Sequence, residues 1–101
     1  MGNRALVQFT DGDDFSPVTY LHWNGAYVAD YIAELVELMS DRMGDLPYSA
    51  ARFIGICHSH SPGNLSLGVW NYDKKLNTED SHGDEGCFIV NVNNWSIEHI
   101  D

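Results

Sequence analysis

The stretch Ala26-Tyr-Val-Ala-Asp30-Tyr-Ile-Ala-Glu34-Leu-Val-Glu37-Leu-Met-Ser-Asp41-Arg-Met43 decides the fold class. It carries the clearest helical periodicity of the chain, and it lies between segments that read as strands. At roughly 100° per residue, Val28, Ile32, Leu35, Val36, Met39 and Met43 fall in an apolar stripe about 100° wide. Asp30, Glu34, Glu37 and Asp41 are spaced four, three and four residues apart and lie on the opposite side. That spacing stacks four carboxylates along one helix face. Gly44 suits the residue after a helix end, and Pro47 prevents the helix from resuming. One long helix over residues 26–43 is therefore expected, with its apolar stripe on a sheet and its acidic ladder pointing straight into solvent.

Working outward, residues 5–10 alternate weakly and end at the turn signal Asp11-Gly-Asp13-Asp14. Residues 17–23 (Pro-Val-Thr-Tyr-Leu-His-Trp) are rich in β-branched and aromatic side chains and stop at Asn24-Gly25, so the two runs read as an N-terminal hairpin. Downstream of the helix, residues 47–57 fit a short helix, with residues 53–57 equally suited to a strand, and residues 58–63 fit a loop. Residues 65–72 alternate as a strand, and residues 73–86 form a long polar loop. Residues 88–92 (Phe-Ile-Val-Asn-Val) make the strongest strand. Asn93-Asn94 is then a tight turn into a last strand over residues 95–100. The expectation is a single α+β domain over residues 1–101, in chain order β-β-α-α-β-β-β. Its sheet of about five strands is antiparallel, and the long helix covers one face. Trp23, Trp70 and Trp95 fall in expected strands, where core burial is their default, and any left on an uncovered face would form a binding patch.

Charge limits the function. Fifteen Asp and Glu stand against five Lys and Arg, a net of −10 in 101 residues. Direct binding of nucleic acid needs clustered Lys and Arg, so it is disfavoured, as is an anionic membrane surface. A basic protein surface is the favoured partner, in particular one belonging to a nucleic-acid-binding protein. No apolar run approaches the length of a membrane span, and the start Met-Gly-Asn-Arg-Ala-Leu matches neither a signal peptide nor a myristoylation site. A cytoplasmic location is expected, with Cys57 and Cys87 as reduced thiols buried in apolar runs.

The motifs of catalysis fit poorly. Cys57-His-Ser-His60 is the densest group of metal-capable side chains, with His58 and His60 the metal candidates and His82 and Cys87 within conceivable reach. It lacks the paired spacing of structural zinc sites, and neighbouring side chains on extended backbone point to opposite sides. A Cys–His nucleophile would need a stabilised thiolate, which nearby carboxylates oppose. A calcium loop beginning at Asp11 would need Gly and Glu at its sixth and twelfth positions, where Ser16 and His22 stand. Gly63-x₄-Gly68 is followed by Val69 rather than Lys-Ser or Lys-Thr, so it is not a phosphate loop. No cofactor is expected.

Small size, an α+β fold and dense surface carboxylates together resemble phage-encoded inhibitor proteins of the anti-CRISPR and nucleic-acid-mimic type. The resemblance is one of character and carries over no individual residues. It implies a non-enzymatic binding protein whose acidic face occupies a Lys/Arg-lined groove. Carboxylates on adjacent helical turns lie about 5–6 Å apart, comparable with successive phosphates. The expected binding residues are Asp30, Glu34, Glu37 and Asp41, followed by Asp13, Asp14, Glu79, Asp80, Asp84 and Glu85. The alternative is a structural or dimerising domain whose partner is a second copy of the chain and whose charge only keeps it in solution. A small metal- or thiol-dependent enzyme built on Cys57, His58 and His60 is the third reading.

Overall fold

A computed structural model describes residues 3–61, 63 and 65–101; Met1, Gly2, Pro62 and Asn64 lie outside the described residues. Five strands, β1 (Ala5–Thr10), β2 (Val18–Leu21), β3 (Leu67–Trp70), β4 (Gly86–Asn91) and β5 (Ile97–Ile100), join one sheet in the order β3-β2-β1-β4-β5. Two helices, α1 (Val28–Leu38) and α2 (Leu46–His60), follow the first hairpin. The element order matches the sequence expectation, and so do the β1–β2 and β4–β5 antiparallel hairpins.

The sheet is mixed rather than antiparallel. β1 and β4 pair in parallel at its centre, from Ala5↔Gly86 to Thr10↔Asn91. The reason lies in the connection between edge strand β3 and β4. Residues 71–85 cross the outer face of the sheet and bury Leu76 in a cluster with Leu6, Val18, Cys87 and Ile89. Gln8, fully buried on β1, fastens that crossing. Its Nε2 donates to the Lys74 carbonyl at 2.7 Å, and its Oε1 accepts from the Leu76 N–H at 2.9 Å. The outer face is therefore not bare. Burial on both faces, at every residue of β1, is also why the strand does not alternate cleanly.

The inner face carries the main core. Val28, Tyr31, Ile32, Leu35 and Met39 of the α1 segment meet Phe53, Ile56 and Cys57 of α2 over Ala5, Val7, Phe9, Phe88 and Val90. Phe9 and Phe53 pack edge to face at 5.3 Å.

The long helix is instead two shorter pieces of backbone. A 3₁₀ turn over Gly25–Tyr27 precedes α1, pinned where the Asn3 carbonyl and Oδ1 accept from the N–H groups of Gly25 and Ala26. At the other end α1 stops at Leu38. Ser40 and Asp41 are poor helix formers, and a carboxylate at a helix C-terminus opposes the macrodipole. Met43 leaves the apolar stripe and is exposed. Gly44 does not end α1; with φ +89° it forms the corner whose N–H docks on the Val92 carbonyl. Pro47 sits in the first turn of α2, which Asp45 caps by accepting from the Tyr48 N–H at 3.2 Å.

α2, expected as a short helix over residues 47–57, is the longer of the two, and it takes in His58 and His60, which the sequence placed in a loop. Of the tryptophans only Trp70 lies in a strand. Trp23 occupies a bend, while Trp95 follows the β4–β5 turn with φ +59° and its ring packed on the core. Trp23 and Trp70 are both 40% exposed, which corrects their expected burial. Among the described residues no helix is long and apolar enough to cross a membrane.

Candidate functional site

The carboxylates singled out in the sequence fall into three settings. Asp30, Glu34 and Glu37 are exposed along α1, with Asp30 in the first turn where the helix dipole favours it. Asp41 is not on the helix; it lies in the turn beyond, beside Asp11 and Asp45 at the end of the sheet where β1 and β4 both finish. Asp13 and Asp14 are exposed in the neighbouring β1–β2 loop. Their backbone N–H groups donate to the Asp11 carboxylate at 3.0 and 2.8 Å, which holds that carboxyl below the usual range. At the opposite end Glu85 lies against Gly25, at the start of the helical segment. An acidic line thus runs from Glu85 along α1 to Asp41 and the 11–14 loop.

Asp84 and Asp80 do structural work. Arg4 Nε donates to Asp84 Oδ2 at 2.7 Å, so the guanidinium holds the Asp84 carboxyl below its ordinary value. Asp80 accepts from the Tyr72 hydroxyl at 3.0 Å and from the Asn77 N–H at 2.8 Å, closing a capping box on a short 3₁₀ turn. Glu79 is exposed on that same turn, in the crossing over the outer face, away from α1.

One correction changes the chemistry of the ladder. Glu34 does not point freely into solvent, because His60 Nε2 lies 2.9 Å from its Oε1. A carboxylate only accepts, so His60 donates from Nε2. The His60 ring in turn stacks on Tyr31 at 4.8 Å and 10°, and Tyr31 stacks on Tyr27 at 6.3 Å and 29°. Tyr27, Asp30, Tyr31, Glu34, His60 and Asn24 line one shallow concavity of about 360 Å³. The helix register builds it: Tyr27 and Tyr31 are one pair at i,i+4, and Asp30 and Glu34 are the adjacent pair. Asn24, in a left-handed conformation that Asn tolerates, anchors the rim by donating from Nδ2 to Ser61 Oγ.

The outermost ring of that column, Tyr27, is 52% exposed. An aromatic face carries a negative quadrupole, and the flanking carboxylates accept hydrogen bonds. A planar guanidinium or an ammonium matches both features. Sequence reasoning missed Tyr27 and Tyr31, although their i,i+4 spacing was legible. The participation of His60 was not, because it comes from the end of a helix read as a loop.

Nothing brings the other suggested chemistry together. Among the described residues no three His, Cys, Asp or Glu side chains are placed to share a metal ion. Cys57 faces the inner core and Cys87 the outer cluster. Burial pushes the Cys57 thiol up to about 12; burial, then the Asp80 charge, pushes that of Cys87 up to about 11. His58 is exposed, and His82 packs against Tyr20 with ring centroids 5.2 Å apart and the rings tilted by 44°. Comparisons with protein families, curated proteins and solved structures return no match for this chain.

Proposed function

We propose that this chain is a non-enzymatic binding protein whose α1 surface engages a basic protein surface, standing in for nucleic acid as small phage-encoded inhibitors do. The observation that supports this reading is the concavity on α1, an aromatic column with Tyr31 buried at its centre and Tyr27 exposed at its end, flanked by two carboxylates. A partner Arg or Lys seated there would stack on Tyr27 and pair with Asp30 or Glu34, while Glu37, Asp41, Asp13, Asp14 and Glu85 extend the negative potential along its surroundings. Charge-assisted, bidentate contacts to Arg are stronger than neutral hydrogen bonds, and the acidic line steers encounter. At the sequence level the same acidic excess disfavours phosphate-bearing ligands for this surface.

The test is capture of host proteins on immobilised chain at low and high salt, alongside a variant carrying Asp30→Asn, Glu34→Gln, Glu37→Gln and Asp41→Asn. The expected result is a basic protein held at low salt, released at high salt and lost in the variant. Equal capture by the variant would reduce the line to a solvated face and overturn the proposal.

A further inference from the structure

One long stretch of the chain carries no acidic, Lys or Arg side chain of its own, and only its His60 borders the α1 concavity. Residues 53–72 contain no Asp, Glu, Lys or Arg, in a chain where these make up 20% of residues. That stretch ends in β3, which is an outer strand of the sheet. Free strand edges are normally protected by charge, proline or a bulge. The other edge follows this rule, since β5 carries Glu98, paired with Lys75 at 2.6 Å, and His99. On β3 the side chains are apolar instead: Val69 is 52% exposed and Trp70 40%, and Leu65 just before the strand is 83% exposed.

The register shows which backbone groups are free. The His22 N–H donates to the Ser66 carbonyl at 3.0 Å, so His22 and Ser66 are a hydrogen-bonded pair. Antiparallel pairs alternate, so Tyr20↔Gly68 and Val18↔Trp70 are hydrogen-bonded as well. The N–H and C=O groups of Leu67 and Val69 therefore point outward, and among the described residues no strand pairs with that side.

We propose that a second copy of this chain pairs with this edge, β3 against β3, antiparallel about a two-fold axis through Gly68. Leu67 of each copy then lies opposite Val69 of the other, the two pairs exchanging four hydrogen bonds. Gly68 faces Gly68 in the non-hydrogen-bonded position, where strands approach most closely. The absent side chain suits that approach, and the Tyr20 ring already covers this glycine from its own chain, 3.7 Å from where a Cβ would stand. Charge selects the occupant. Two copies at −10 each repel wherever carboxylates would meet, and β3 with the residues from 53 to 72 around it brings none. A basic partner, by contrast, gains nothing from a neutral edge. The pairing is isologous, so it closes at a dimer with a ten-stranded sheet.

Sedimentation velocity of the full chain over a range of concentrations and salt tests it. The expected result is a reversible monomer–dimer equilibrium that tightens as salt rises, because screening relieves repulsion between like-charged copies. That trend is opposite to the one expected for a basic partner. Val69→Lys, which sets like charges beside the axis, weakens the dimer at least about tenfold, the scale of a few opposed cross-strand terms. Val69→Pro removes an N–H that β2 does not use and gives the same loss, whereas Ile97→Lys on the β5 edge leaves the dimer intact. A monomer at every concentration and salt overturns the proposal. So does a dimer indifferent to both Val69 variants in protein whose circular dichroism matches the parent.

Discussion

Gln8→Leu is the sharpest probe of how the fold holds the crossing over the outer face of the sheet. The substitution nearly conserves volume but removes both partners of that crossing, the acceptor for the Leu76 N–H and the donor to the Lys74 carbonyl. A typical hydrogen bond contributes about 1 kcal/mol net, and a buried donor left unpaired costs about 1–3 kcal/mol. Leu76 is 2% exposed, so its N–H has no ready access to water, whereas Lys74 is exposed and its carbonyl can rehydrate. The summed cost is about 2–4 kcal/mol. It has a ceiling: the crossing can instead lift away, giving up the burial of Leu76, which itself stabilises by about 1.5–3 kcal/mol. Against a total stability of about 5–15 kcal/mol the effect is large. Urea denaturation followed by circular dichroism reads it as a lower midpoint, and amide exchange shows early loss of protection at Leu76. A change below about 0.5 kcal/mol, within the scatter of ordinary surface substitutions, would refute the claim that Gln8 fastens the crossing.

With Cys57 raised from an ordinary 9.0 to about 12, the unfolded chain loses that thiol proton at lower pH than the folded chain, so stability falls as pH rises between those values. Cys57→Ala therefore shows a shallower alkaline decline, and at neutral pH neither cysteine of the native protein reacts with a thiol reagent until denaturant is added. Along α1, Glu37→Gln relieves like-charge repulsion and raises stability by a few tenths of a kcal/mol. Asp30→Asn does the reverse, because it gives up a favourable charge at the helix N-terminus. Thermal melts of the two variants at low salt shift in opposite directions.

What the sequence reveals about this fold is mostly local. The turn chemistry at Asp11-Gly-Asp13 and Asn93-Asn94 identifies both hairpins, and the spacing of Val28, Ile32, Leu35 and Met39 identifies the buried side of α1. The parallel pairing of β1 with β4 depends on where residues 71–85 travel, and a polar loop does not announce its path. Its one fully buried side chain is Leu76, and its clamp is a glutamine on β1. Periodicity extends the acidic ladder through Asp41, but helix-breaking Ser40 and Asp41, together with the docking of Gly44 on Val92, end the helix at Leu38. The Glu34–His60 contact joins residues 26 apart in sequence, from helices whose packing periodicity alone does not specify. The concavity on α1 is therefore half legible: its Tyr and acidic pairs are visible in the register, and its third wall is not.

The most direct test of the acidic-surface reading is a two-dimensional amide NMR titration of the isotope-labelled chain with a short arginine-rich peptide, repeated with Tyr27→Ala. The expected shift changes centre on Tyr27, Asp30, Tyr31, Glu34 and His60 and weaken as salt rises. Affinity falls by about 2–30-fold in Tyr27→Ala, the range of a cation–π contact. Shifts spread evenly over Asp13, Glu79 and the other exposed carboxylates, with the Tyr27 variant binding as well as the parent, would contradict it.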